Sequence, residues 1–185
     1  MPHNAPRISF SHVGIYVAGM ARMEDFYSRF MGFTVTDRGP LQTPHGVLDL
    51  VFLSRDPHEH HEIVLASGRP ADLPFNVVNQ ISFRVDKLAG LRGLHEALAG
   101  EAVSDIMRIS HGNAMSVYFR DPEGNRIELF VDMPWYVTQP LRIPFDFTCG
   151  DEELMRWAEK TARSLPGFKP VADWQRDMAR RMGLA

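Results

Sequence analysis

The chain has 185 residues, enough for one well-buried domain or two small fused modules. It is 44% hydrophobic and 23% charged, and a net charge of −3 without any Lys/Arg cluster argues against nucleic acid or an acidic membrane surface as partner. Cys149 is the only cysteine, which excludes an internal disulfide and points to a reducing cytoplasm.

The opening MPHNAPRISFSH has no apolar run fit for a signal peptide, and no later stretch approaches the length of a membrane span. SHVGIYV then alternates, which predicts a half-buried strand. Its apolar face is Val13, Ile15 and Val17; the opposite face carries His12, Gly14 and Tyr16. Met23, Phe26 and Phe30, spaced three and four apart, predict an amphipathic helix, and Gly32 stands where a helix ends in a left-handed residue. GFTVTD, GVLDLVFLS and HEIVLAS predict three further strands.

A shift of 68 residues brings the pattern round again. NQISFRV falls on SHVGIYV; Leu91, Leu94 and Leu98 fall on Met23, Phe26 and Phe30; Gly100 falls on Gly32. AVSDIMRI, MSVYFRD and RIELFVD are the matching strands. The expected architecture is α+β: two tandem βαβββ modules, residues 8–68 and 78–132, within a single domain spanning residues 1–185. SGRPADLPF, residues 67–75, broken by Gly and Pro, marks the linker, which is placed at 69–77. The extension, 133–185, begins with MPWYVTQPLRIPFDF, whose three prolines predict an extended strap. DEELMRWAEKTARSL and ADWQRDMARRM predict two short helices, the first opened by acids and the second closed by bases, as the helix dipole favours. Packing or contact with further copies of the chain, in a homo-oligomer, is the expected role of this tail.

Three side chains on the non-helix faces of the predicted strands stand out: His12, its repeat-mate Gln80, and Glu128 of RIELFVD. Pairing of the modules about a pseudo-twofold axis would bring imidazole, amide oxygen and carboxylate into one cavity, a plausible set for a divalent metal. The bland alternative is a satisfied buried histidine, a hydrogen-bonding amide and a surface charge. ISHGNAMSVYFRDPEGNRIE, residues 109–128, holds the strongest local motif. Asp121-Pro122-Glu123-Gly124 predicts a turn that returns Glu128 antiparallel to Tyr118, with His111 on a neighbouring strand. Phe10, Tyr16, Phe75, Phe130 and Trp135 suggest an apolar pocket, although such aromatics more often serve simply as core.

These features resemble the vicinal oxygen chelate superfamily, that of glyoxalases, bleomycin resistance proteins and extradiol dioxygenases. Residues 109–128, with HHEIVLASG and VDMPWYVTQPLRIPFD, resemble the single-domain type I extradiol ring-cleavage dioxygenases. The resemblance implies a vicinal oxygen chelate fold and a non-haem metal, Fe²⁺ before Mn²⁺, Zn²⁺ or Ni²⁺, with His12 and Glu128 matching two ligands. Gln80 stands where those dioxygenases carry histidine; some glyoxalases of the superfamily use glutamine as a ligand. His61 resembles the acid–base histidine, while His111 and Tyr118 resemble residues that bond substrate or oxygen. The partners implied are a small aromatic diol and O₂. A glyoxalase-like isomerase or lyase with Glu62 as an added ligand, and a non-catalytic binding relative, are the alternatives. Strict alternation in HHEIVL turns Glu62 rather than His61 to the cavity, unless a bulge at the strand's start reverses the parity.

Overall fold

The computed structural model describes residues 8–73 and 75–184, so the opening seven residues and Pro74 of the connection lie outside the described residues. The chain divides into two compact units, with the boundary between Val77 and Val78.

In the first unit, β1 (Val13–Val17) leads to helix α1 (Met20–Asp25). The helix widens into a π-helical turn, Phe26–Phe30, and β2 (Thr34–Thr43), β3 (Gly46–Ser54) and β4 (Ile63–Ser67) follow. The sheet order is β1-β4-β3-β2, with β1 parallel to β4 and the remaining pairs antiparallel. Alternation in β1 buries Ile15 and Val17 and leaves Gly14 and Tyr16 exposed. Helix α1 lies against β4, and Met23, Phe26 and Tyr27 are buried along with Leu53, Ile63 and Leu65 of the sheet. Gly32 takes φ +73°, the left-handed conformation expected where the helix ends. β2 runs six residues beyond the predicted GFTVTD, to Thr43. Gly39 and Pro40 conceal this extension in the sequence. Pro40 is tolerated because β2 is an edge strand and needs no donor on its outer side.

The second unit repeats the plan: β5 (Ile81–Arg84), α2 (Leu88–Ala97), β6 (Ser104–Ser110), β7 (Ala114–Arg120) and β8 (Arg126–Asp132). β5 and β8 are adjacent and parallel, just as β1 and β4 are. Helix α2 lies against β7 and β8 and buries Leu88 and Leu91; Leu98 in the next turn is buried too. Ile127, Leu129 and Val131 are buried, as their alternation predicts. Gly100 departs from expectation. It closes a 3₁₀ turn, Leu98–Gly100, outside the left-handed region, and the chain leaves it through an extended Glu101.

The extension belongs to this unit: a strap with the short strands β9 (Trp135–Tyr136) and β10 (Ile143–Pro144), then helix α3 (Asp151–Arg163), β11 (Lys169–Pro170) and helix α4 (Val171–Met182), the two helices the sequence predicts. β10 joins the sheet beside β6, giving the order β10-β6-β7-β8-β5. Arg92 of α2 fastens the strap. Its guanidinium donates to Asp151 Oδ1 at 2.8 Å and to the carbonyls of Phe147 (2.6 Å) and Cys149 (2.7 Å). Among the described residues, no helix is long and apolar enough to cross a membrane.

Candidate functional site

Glu128 is the centre of the second unit's polar cluster. The turn after β7 positions it: Asp121 Oδ1 accepts from the N–H groups of Glu123 and Asn125, and Gly124 takes φ +82°. The strand returns with Glu128 directly opposite Tyr118, the register the motif predicts. Glu128 is only 7% exposed, so it is not a surface charge. A buried carboxylate needs donors, and four side chains supply them. Ser116 Oγ (2.7 Å) and Tyr118 Oη (2.6 Å) donate to Oε1; Ser82 Oγ (2.6 Å) and Gln80 Nε2 (2.8 Å) donate to Oε2. Ser82 and Ser116 were not singled out in the sequence. The signal was available, since each sits two residues from a named site residue and therefore on the same strand face.

His111 extends the chain of contacts. Its Nδ1 meets the Leu141 carbonyl at 2.7 Å and its Nε2 meets Tyr118 Oη at 2.9 Å. A carbonyl only accepts, so Nδ1 carries a proton, and Nε2 is the acceptor of the neutral ring. Tyr118 has one hydroxyl proton and two claimants, Glu128 and His111. Burial foremost, then the hydrogen bond to Glu128 and its charge, push the Tyr118 phenol well above its usual pKa. Tyr118 is therefore a fixed proton donor at neutral pH. Gln80, His111 and Tyr118 also line a cavity of about 210 Å³, with Met107 and Ile109 as its apolar wall.

The first unit holds the other predicted residues. His12 is exposed rather than buried, and its ring lies 4.2 Å, centroid to centroid, from that of His61. His61 also packs on Phe52 at 5.2 Å, and its Nδ1 meets His60 Nδ1 at 2.9 Å. Burial first, then the charges of His12 and His60, lower the His61 pKa. The parity conflict resolves locally. β4 begins only at Ile63, Glu62 sits in a bend, and its Oε2 is engaged by the Arg55 N–H at 2.7 Å. His61 rather than Glu62 thus joins His12. Of the aromatics suggested for a pocket, Phe10, Tyr16 and Phe75 are exposed, Phe130 is half-buried, and Trp135 is core, its Nε1 donating to the Gly112 carbonyl at 2.7 Å.

Among the described residues, no three His, Cys, Asp or Glu side chains gather as a metal site. Glu128 and Gln80 are in direct contact, and turning the amide end for end would present Oε1 where Nε2 now stands. Carboxylate and amide oxygens are donors suited to a hard divalent cation.

Residues 9–129 match the sequence profile of the Glyoxalase/Bleomycin resistance protein/Dioxygenase superfamily. The chain is 30% identical over 127 residues to biphenyl-2,3-diol 1,2-dioxygenase 2 of Rhodococcus globerulus, an alignment covering 66% of this chain and 62% of that protein. It is 26% identical over 175 residues to biphenyl-2,3-diol 1,2-dioxygenase 3 of the same organism, covering 90% and 80%. The fold is similar to a crystal structure of a glyoxylase/bleomycin resistance protein/dioxygenase domain from Frankia sp. EAN1pec. There the TM-score is 0.55 at 22% identity, over 69% of this chain and all of that one. The profile match spans both βαβββ units up to Leu129, so the chain belongs to the glyoxalase/bleomycin resistance protein/dioxygenase superfamily.

Proposed function

We propose that the protein is an extradiol-type dioxygenase that opens a catechol or dihydroxybiphenyl-like diol with O₂. The observation that carries this reading is the hydrogen-bonded series Leu141 carbonyl–His111–Tyr118–Glu128, which borders the cavity. His12, Gln80 and Glu128 would hold a divalent metal, Fe²⁺ before Mn²⁺, Zn²⁺ or Ni²⁺. When bound, such a metal lowers the pKa of a coordinated diol and holds the diol and O₂ together. His61 would take a hydroxyl proton from the diol. His111 would hydrogen-bond the substrate or oxygen through Nε2, and Tyr118 would hold the Glu128 carboxylate and the His111 ring in place.

A glyoxalase-like isomerase or lyase is the second reading, and the amide of Gln80 against Glu128 is the observation that favours it. Glu62 gives that reading less support, because its carboxylate is engaged by the Arg55 N–H.

The test is anaerobic reconstitution with Fe²⁺, followed by O₂ uptake with a panel of catechols and dihydroxybiphenyls. Uptake with a yellow ring-fission product is expected. Failure with every diol would overturn the dioxygenase reading. His12→Ala and Glu128→Ala should lose the metal by elemental analysis. His111→Ala should keep it and lose about 10²–10⁴-fold in turnover.

A further inference from the structure

Two arginines line the cavity that His111, Tyr118 and Gln80 border: Arg126 and Arg142. They arrive from separate places in the second unit. Arg126 opens β8 on the same strand face as Glu128, two residues on. Arg142 lies in the strap just before β10, beyond β6 and β7 in the sheet.

Neither guanidinium is engaged as those of Arg84, Arg92 and Arg120 in the same unit are. Arg84, Arg92 and Arg120 each meet an aspartate, at 2.6, 2.7 and 2.6 Å. Among the described residues, Arg126 and Arg142 meet no carboxylate, and Arg142 donates to the Met107 sulfur at 3.1 Å, a weak acceptor. Glu128 does not need them, since four neutral donors already meet its two oxygens. The chain carries an excess of acid overall, with a net charge of −3, yet among the described residues this cavity is lined by two arginines and no carboxylate. Apolar Met107 and Ile109 supply the wall for a ring between them. Arginine's planar fork matches a carboxylate in two-point contact, which a solvated lysine does not.

We propose that Arg126 and Arg142 select a diol carrying a carboxylate side group, so that the substrate is a catechol-type aromatic acid rather than a neutral diol. This rests on the dioxygenase reading, and it names the end of the cavity that reads the substituent rather than the end that does chemistry.

The experiment pairs a catechol bearing a propionate side chain with its propionamide, which differs in charge and little in shape. Binding is first measured calorimetrically on the metal-free protein, without O₂. The acid is expected to bind at least about 10-fold more tightly than the amide at low salt, and the preference should shrink as salt is raised. Arg126→Gln and Arg142→Gln should each lose most of it, with Arg→Lys at either position recovering part. Circular dichroism identifies any variant that has not folded, and the second position then carries the test. Equal affinity for acid and amide, binding of neither, or a preference that survives the double Gln variant would overturn the proposal. The Fe²⁺-loaded protein is then assayed for O₂ uptake with the same pair. A binding preference without uptake leaves the acid-binding site standing and sinks the dioxygenase reading. Uptake with equal kcat/KM for acid and amide does the reverse.

Discussion

Glu128 shows at the scale of one residue how a buried charge is tolerated here. Among the described residues it meets no lysine or arginine; two serines, a tyrosine and an amide surround its two oxygens. Each donor is short and aimed, which replaces the lost hydration of the carboxylate. That arrangement makes Gln80 the informative position, because its amide touches the same oxygen that a cation would approach. Gln80→His should complete two imidazoles and one carboxylate, and imidazole is the better donor for Fe²⁺. The Fe²⁺ dissociation constant of the variant should fall below that of the wild type. Activity is a separate outcome, since a ligating imidazole also depends on the partner that orients it. A weaker iron affinity in the variant would sink the assignment of position 80 as a ligand, and an unchanged one would mean that it never touches the metal.

At the scale of elements, the connection between β6 and β7 matters most. Gly112 follows His111 there at φ +74°, and a Cβ at this position would stand 2.3 Å from Val137 Cγ2 and 3.0 Å from Leu141 Cδ2 of the strap. The same strap supplies the Leu141 carbonyl that orients His111, and its Trp135 takes the Gly112 carbonyl. Gly112→Ala therefore combines a left-handed conformation that alanine avoids with overpacking against the strap. The expected cost is about 2–4 kcal/mol, read as a lower midpoint in urea unfolding. A loss below about 0.5 kcal/mol would mean that the strap yields freely and does not hold His111. The tail expected to serve packing or oligomer contact thus also reaches the site: its first stretch, through Leu141, is part of the His111 environment. Composition showed only that prolines made it extended; which carbonyl would meet His111 depends on where the folded strap lies.

For the molecule as a whole, pH acts on stability through His95 of α2. Its Nε2 accepts from Arg108 Nη1 at 3.3 Å, which leaves Nδ1 with the proton, buried and without an acceptor among the described residues. The ring packs on Phe147, with centroids 5.0 Å apart. Burial first, then the Arg108 charge, lower the His95 pKa from its ordinary 6.5. A lowered folded pKa means that the unfolded chain takes up the proton first as pH falls. The contribution of His95 is then complete above about 6.5 and is lost progressively between that pH and its lower folded value. Wild-type Tm should decline from pH 7 to pH 5 more steeply than that of His95→Phe, which has no proton to gain. Parallel slopes in a thermal melt series would show that His95 carries none of the dependence.

Much of this protein was legible in the sequence because it depends on local periodicity. The alternation of SHVGIYV and NQISFRV, the helical spacing of Leu91, Leu94 and Leu98, and the Asp-Pro-Glu-Gly turn each act over a few residues, and together they determined two βαβββ units and the Tyr118–Glu128 register. The 68-residue repeat likewise determined that Gln80 occupies the place of His12. Long-range contacts were decided by the tertiary structure alone. It extended β2 past Gly39 and Pro40, because an edge strand can spare a donor. It placed Ser82 and Ser116 on Glu128, because a buried carboxylate draws whatever donors the neighbouring strands present. It brought Arg142 from the strap to the same cavity as Arg126, a meeting across the sheet that no sequence period records.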